Sequence, residues 1–186
     1  MDFRKMKEVK LLVSIFVLLF TTACNGQGTA GQGTAVATPP VTSSTAQVVP
    51  KGNPQPKLPT VKLWVGTNQV SAEIASTLIQ IQTGMMFRTN MAEMEGMLFV
   101  FPQPQQVAFY MRNTLIPLSC AYIDREGTIL ETFEMQPLNE TAIPSKSHEV
   151  QYVLEMKQGW FHRHGIKPGV VVSTERGTFP QTFRRR

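Results

Sequence analysis

Short apolar runs separated by turn residues predict a strand-rich domain over residues 61–174. Val61, Leu63 and Val65 alternate with Lys62 and Trp64, which is the period-two pattern of a strand. Similar runs predict further strands at 70–75, 97–101, 107–111, 118–123, 128–135, 152–156 and 170–174. Short turns in the middle of this series favour a meander, so we expect one curved antiparallel or barrel-like sheet.

Helical periodicity is confined to two places. Ser76 or Thr77 is a good N-cap for a helix that would run to about Arg88. Its apolar residues recur at steps of three and four and should pack on the sheet: Leu78, Ile81, Met85 and Met86. A shorter helix is expected at 158–164, ended by Gly165. The predicted fold class is therefore α+β, a small single domain with one main helix and one short helix.

Polar residues interrupt the apolar pattern near the middle of the domain. Pro102 and Pro104 are expected to end the strand before them. Arg112, Asn113 and Thr114 then lie between two apolar runs of strand length, and buried polar groups need partners. This trio either fixes a turn through hydrogen bonds to the backbone or lines a pocket. For Asn113 we expect the turn role, with its side-chain amide bonded to backbone groups, whereas Arg112 should face outward.

Five motifs together resemble the family catalogued as domain of unknown function 192. In order they are GMMFR at 84–88, GMLFVF at 96–101, MRNTLIPL at 111–118, AYID at 121–124 and YVLE at 152–155. The resemblance spans residues 61–172 and implies a small β-rich α+β domain, with no assigned activity. The family usually has an acidic residue where Val170 stands and often another where Ser119 stands. These two departures argue against a carboxylate site at either position.

The first 23 residues have the three parts of a secretory signal peptide. A basic start precedes the apolar run 11–20, and small residues lead to Cys24. Ten apolar residues are too few to cross a bilayer, which needs about 20. The end of the signal resembles that of a lipoprotein, in which Cys24 would be acylated and anchor the protein in the membrane. The alternative is an ordinary signal peptide that leaves Cys24 as a free thiol. We expect an extracytoplasmic lipoprotein of the cell envelope.

Composition divides the remaining chain into a linker, a domain and a tail. Residues 24–60 are rich in Gly, Gln, Thr, Ser and Pro and predict a disordered tether. The globular domain is expected over 61–175, followed by a basic tail at 176–186. Of the formal net charge of +5, residues 1–23 supply +2 and the three C-terminal arginines supply +3. The domain is thus about neutral, which argues against nucleic acid as a partner.

No cofactor or metal is predicted from the sequence. His162 and His164 lie two residues apart on a predicted helix and therefore point in different directions. Met91 and Met94 either bind Cu(I) through their thioethers or fill gaps in the core. Cys120 is expected to be a small buried core residue; the alternative is a catalytic thiol, which would need a nearby cation.

Five polar residues embedded in the apolar motifs form the candidate site: Arg88, Arg112, Asn113, Asp124 and Glu155. They either make a structural ion-pair cluster, or bind a carboxylate or sugar ligand through arginine, or supply an acid/base pair for hydrolysis. The leading prediction is a non-enzymatic binding or accessory module whose partner is an unknown small molecule or protein. The alternative is a small hydrolase-like enzyme that uses the same residues.

Overall fold

The structure is a computed structural model that describes residues 51–183. The predicted signal peptide, Cys24, most of the predicted linker and the three C-terminal arginines lie outside the described residues. Over 51–183, no helix is long and apolar enough to cross a membrane.

The described chain forms strands and short helices in the following order. They are β1 (Thr60–Val65), β2 (Asn68–Ala75), α1 (Leu78–Thr83), β3 (Glu95–Gln105), β4 (Ala108–Phe109), β5 (Leu118–Asp124), β6 (Ile129–Met135), β7 (Ile143–Pro144), β8 (Val150–Lys157), α2 (Trp160–Arg163), β9 (Val172–Thr174), β10 (Gly177–Thr178) and α3 (Phe179–Phe183). Most strand predictions are confirmed within a few residues. Gly127 has φ +94° in the turn between β5 and β6, as its predicted hairpin role requires.

Eight strands form one mixed sheet in the order β10-β9-β1-β2-β3-β8-β5-β6. Neighbouring strands are antiparallel except β2 and β3, which are parallel because α1 and its following loop carry the chain back between them. An isolated bridge between Thr128 and Val171 brings the two ends of this sheet together, although its ladder of strands is not closed. The predicted α+β class with a curved sheet is therefore confirmed.

Both faces of the central strands are buried, and successive residues contribute to two different hydrophobic clusters. Along β3, Leu98 joins one cluster, whereas Met97 and Phe99 join the other. Along β8, Leu154 joins the first cluster and Val153 the second. Because side chains alternate along a strand, Glu155 lies on the same face as Val153. This alternation directs a carboxyl group into an apolar interior.

The predicted main helix is shorter than expected, and only part of its predicted apolar face packs on the core. Thr77 caps α1 as predicted, because its hydroxyl oxygen accepts a hydrogen bond from the Gln80 amide at 3.3 Å. The helix ends at Thr83, since Gly84 adopts φ +47°. Leu78, the first residue of the helix, is 70% exposed, whereas Ile81 packs against the core. Met85 lies beyond the helix and is buried in the core.

Two predictions for the middle of the chain are also wrong. The strand β3 continues through both prolines to Gln105, because its pairing with β8 is irregular between Val100 and Gln105 and requires no amide from the prolines. The predicted strand at 107–111 shrinks to the two residues of β4, which pairs only with β7 in a separate small sheet. The rest of that stretch is irregular and lies over one face of the main sheet.

The folded part extends beyond both predicted boundaries of the domain. Residues 51–59, here called the N-terminal segment, lie against the sheet and α1. The side-chain amide of Gln55 donates to the Gly84 carbonyl at 2.8 Å, and the Leu58 amide donates to the Glu73 carboxylate at 2.7 Å. At the other end, Phe179 of α3 is buried and packs edge-on against Tyr152, with ring centroids 4.6 Å apart.

Candidate functional site

A cavity of about 260 Å³ opens between α1, β3 and the chain around β4. Its walls are mainly apolar and aromatic, and one side chain that lines it carries a carboxyl group. The apolar walls include Ile81, Met85, Met86, Phe99, Phe101, Val107 and Phe109, and the carboxyl group belongs to Glu155. This composition is typical of a site for a small molecule.

Local backbone geometry shapes the cavity. The positive φ of Gly84 ends α1 and turns the chain, so that Met85 and Met86 line the cavity rather than continue the helix. Phe99 and Phe109, which also line the cavity, pack edge-to-face with ring centroids 5.0 Å apart. The short β4–β7 ladder holds Phe109 in this position. The aromatic wall is therefore fixed by pairing between segments that are distant in sequence.

Glu155 lies in the centre of the sheet and is only 4% exposed. Its Cα partners are Met97 on β3 and Cys120 on β5. Among residues 51–183, no group forms a hydrogen bond with its Oε2 atom. Burial raises the pKa of Glu155 from its ordinary value of 4.5 to about 8. At neutral pH this side chain is therefore an uncharged carboxylic acid.

The two titratable neighbours of Glu155 on β5 are also neutral. Burial raises the pKa of the Cys120 thiol well above its ordinary value, and the charge of Glu155 adds to this effect once Glu155 has ionised. Burial likewise raises the pKa of Tyr122, whose hydroxyl donates to the Ile143 carbonyl on β7. Cys120 is fully buried, as predicted, and its environment disfavours the thiolate that a nucleophile needs.

Arg88 forms a partly buried ion pair outside the cavity. Its Nη1 and Nη2 atoms bind the two Glu73 carboxylate oxygens at 3.1 and 2.9 Å. The same carboxylate accepts the hydrogen bond from Leu58 in the N-terminal segment. This geometry matches the structural ion pair considered for Arg88, but the partner is Glu73 rather than one of the predicted site residues.

The predicted central turn exists, but its chemistry differs from the prediction. Asn113 has φ +55°, and its carbonyl oxygen accepts a hydrogen bond from the Phe87 amide at 2.8 Å. Its side-chain amide contacts the Met86 sulfur at 3.9 Å, so the predicted bond from that amide to backbone is wrong. Asparagine suits this position because it tolerates the left-handed conformation. Arg112 is exposed as expected, and Thr114 is buried and lines the cavity.

Asp124 has a local role in the hairpin between β5 and β6. Its Oδ1 atom accepts hydrogen bonds from the amides of Glu126 at 3.0 Å and Thr128 at 2.7 Å. It lies four residues along β5 from Cys120, the strand partner of Glu155. The five predicted site residues thus do not form one cluster, and Glu155 is the member that lines the cavity.

The methionines and histidines considered for metal binding do not come together at one site. Met91 is buried, whereas Met94 is 38% exposed. His162 is exposed, and the His164 ring stacks on Trp160 with ring centroids 4.4 Å apart. Over 51–183, no group of three or more His, Cys, Asp or Glu side chains is arranged to hold a metal ion.

Comparison with known proteins identifies relatives of the domain. No curated protein matches the chain. A protein of unknown function from Novosphingobium aromaticivorans DSM 12444 has 31% identity and a TM-score of 0.60, with 68% of this chain and 94% of that chain covered. A "putative transcription regulator" from Sinorhizobium meliloti 1021 has 33% identity and a TM-score of 0.58, with 62% and 92% covered. The family model named domain of unknown function 192 and described as Uncharacterized ACR matches residues 61–174, and this chain belongs to that family.

Proposed function

We propose that this protein is a binding module of the cell envelope, in which the cavity beside Glu155 takes a small, largely apolar ligand with one polar group. The observation that carries the proposal is the buried Glu155 carboxyl, whose Oε2 atom has no hydrogen-bond partner among residues 51–183. An unpaired buried polar atom costs about 1–3 kcal/mol. A ligand in the adjoining cavity would supply the missing partner.

The charges around the cavity argue against the anionic ligand considered from the sequence. Arg88 is neutralised by Glu73, and Arg112 is exposed and does not line the cavity. No lysine or arginine of the described chain lines it. The walls combine aromatic and thioether surface with uncharged polar side chains, which include Gln82, Gln105 and Thr114. The favoured ligand is therefore neutral or cationic.

The second candidate function is a hydrolase-like enzyme with Glu155 as its general acid. The raised pKa of Glu155 favours this candidate, because a catalytic acid must stay protonated near neutral pH. Hydrolysis by paired carboxyl groups requires a second acid close by. In the part of the chain that the structure describes, Glu155 is the one acidic residue of the cavity lining, so simple ligand binding is better supported.

The envelope location belongs to the same proposal and rests on the amino-terminal sequence. An acylated Cys24 would hold the domain at the extracytoplasmic face of a membrane, with residues 25–50 as the tether. The ligand would then be a small molecule outside the cytoplasm.

Methyl NMR spectra of the methionine-labelled protein test the cavity directly. Met85 and Met86 line the cavity, whereas Met94 does not and is partly exposed. A set of phenyl-substituted fragments that carry a positive, neutral or negative group should include members that shift the Met85 and Met86 signals and leave Met94 unchanged.

Blocking the cavity provides the matched control. Ala108 lines the cavity but is exposed, so Ala108→Trp should close the entrance without disturbing the core, and Ala142→Trp places the same ring on an exposed loop. Only Ala108→Trp should abolish the fragment-induced shifts. If no fragment shifts Met85 and Met86, or if both variants respond like the parent, the binding-module proposal is wrong.

A further inference from the structure

We infer that the cavity selects a small organic cation, a protonated amine on an apolar or aromatic body, whose ammonium group pairs with Glu155. This inference rests on the proposed binding function and adds the chemical class of the ligand. It follows from three features of the cavity: an unpaired acid, a lining without lysine or arginine among residues 51–183, and a wall of aromatic rings and sulfur.

Among residues 51–183, no positively charged side chain lines the cavity beside the unpaired acid. Its Cα partners on the two neighbouring strands are Met97 and Cys120, neither of which carries a positive group. The residues that line the cavity from α1 and β3 are apolar or uncharged polar side chains. Burial is the cause of the raised Glu155 pKa, with no opposing effect from a nearby cation. A positive charge beside this carboxylate would therefore have to come from the ligand.

The cavity walls suit the rest of such a ligand. Phe99, Phe101, Phe109 and Tyr110 supply ring surface, and the face of an aromatic ring attracts an organic cation. The thioethers of Met85 and Met86 add polarizable surface to the same lining. The volume of about 260 Å³ lies just below the usual range for ligand sites, about 300–1,000 Å³, and limits the ligand to one ring or a short chain.

Binding of a cation must change the protonation state of Glu155. The titratable groups that face it are the Cys120 thiol and the Tyr122 phenol from β5, and both keep their protons because burial raises their pKa values. Tyr110 lines the cavity near β4, and no charged side chain lines it from α1 or β3. Neither the Cys120 thiol nor the Tyr122 phenol therefore ionises before Glu155 does. When an ammonium group enters, Glu155 ionises and one proton is released to solvent.

The test uses three probes of matched shape: phenethylamine as the cation, 2-phenylethanol as the neutral analogue and 3-phenylpropionate as the anion. The shifts of Met85 and Met86 in the full chain measure each affinity between about pH 5.5 and pH 7.5, where an alkylamine stays protonated. We expect the amine to bind at least tenfold more tightly than the other two probes at the upper pH. Its affinity should rise about tenfold per pH unit, because one proton leaves on binding.

A matched pair of variants separates the role of the charge from the role of the cavity. Glu155→Gln keeps the shape but cannot ionise, so it should lose both the preference for the amine and the pH dependence. Glu149→Gln removes an exposed carboxylate and should change neither. If 2-phenylethanol or 3-phenylpropionate binds as well as the amine, or if the affinity for the amine does not rise with pH, the cation inference is wrong although the binding function stands. If no probe binds, the proposed function itself fails.

Discussion

Replacing Glu155 by glutamine should change the way in which stability depends on pH. The unfolded chain ionises Glu155 near its ordinary pKa of 4.5, whereas the folded protein ionises it near 8. Between these two values the folded state holds one more proton than the unfolded state, so stability falls as pH rises. Below about pH 4.5 Glu155 causes no loss of stability, and above about pH 8 the loss of stability that it causes is complete.

The size of the effect follows from the two pKa values. Each pH unit in this interval changes the free energy of unfolding by about 1.4 kcal/mol. Across the whole interval the loss amounts to about 5 kcal/mol, which is a large part of the 5–15 kcal/mol typical of a folded domain. The Glu155→Gln variant has no proton to lose at this position. Its free energy of unfolding relative to that of the parent should therefore increase steadily as pH rises towards about 8.

Urea unfolding of parent and variant at several values between about pH 5 and pH 9 measures this difference. A difference in the free energy of unfolding that is the same at every pH reflects how well the glutamine amide fits. A difference that changes with pH reports the ionisation of the Glu155 carboxyl group. Glu149→Gln, which removes an exposed carboxylate, should follow the parent throughout. If the difference between Glu155→Gln and the parent is the same at about pH 5 and pH 8, Glu155 is already ionised in the folded protein and the reasoning fails.

Three further predictions concern other parts of the chain. Arg88→Met should lower the free energy of unfolding, measured in urea, by about 3 kcal/mol, because it leaves the Glu73 carboxylate unpaired. Adding Glu73→Gln to this variant should restore part of the lost stability. If the effects of the two substitutions simply add, the ion-pair explanation is wrong. Asn113→Ala should cost about 1 kcal/mol through its positive φ, whereas Asn113→Gly should be nearly neutral in thermal melts; equal losses would point to a side-chain role instead. Cys24→Ser should move the protein from the membrane to the soluble fraction, and a variant that resists a salt wash of the membranes would refute the lipid anchor.

The fold was largely predictable because most strands carry their own signal. The alternation at Val61, Leu63 and Val65 and the unbroken apolar run after Gly96 follow directly from burial on one or both faces. Predictions failed where distant pairing decides the outcome. Whether 107–111 joins the main sheet depends on β7, whose two residues show no strand pattern. The prediction missed β10 and α3 because residues 176–186 were interpreted as a basic tail.

Of the five candidate site residues, only Glu155 lines the cavity, and its inward position could be predicted from the sequence. Glu155 stood out as an acid within an apolar strand, and strand alternation alone places its side chain inside. Arg88 and Asp124 gave a similar signal, yet they meet Glu73 and two turn amides that no local pattern connects to them. The cavity walls were invisible in sequence, because Phe99 and Phe109 look like ordinary core residues until the tertiary structure brings them together.

The position of β1 has a consequence for the order in which the protein folds. One side of β1 pairs with β2 a few residues later, but the other side pairs with β9, about 110 residues further along. At typical rates of synthesis this interval lasts roughly 5–20 seconds, during which the first hairpin has an unpaired edge. Such an edge can associate with another chain. Lys62, an exposed charge on β1, opposes that association until the C-terminal strands arrive and complete the sheet.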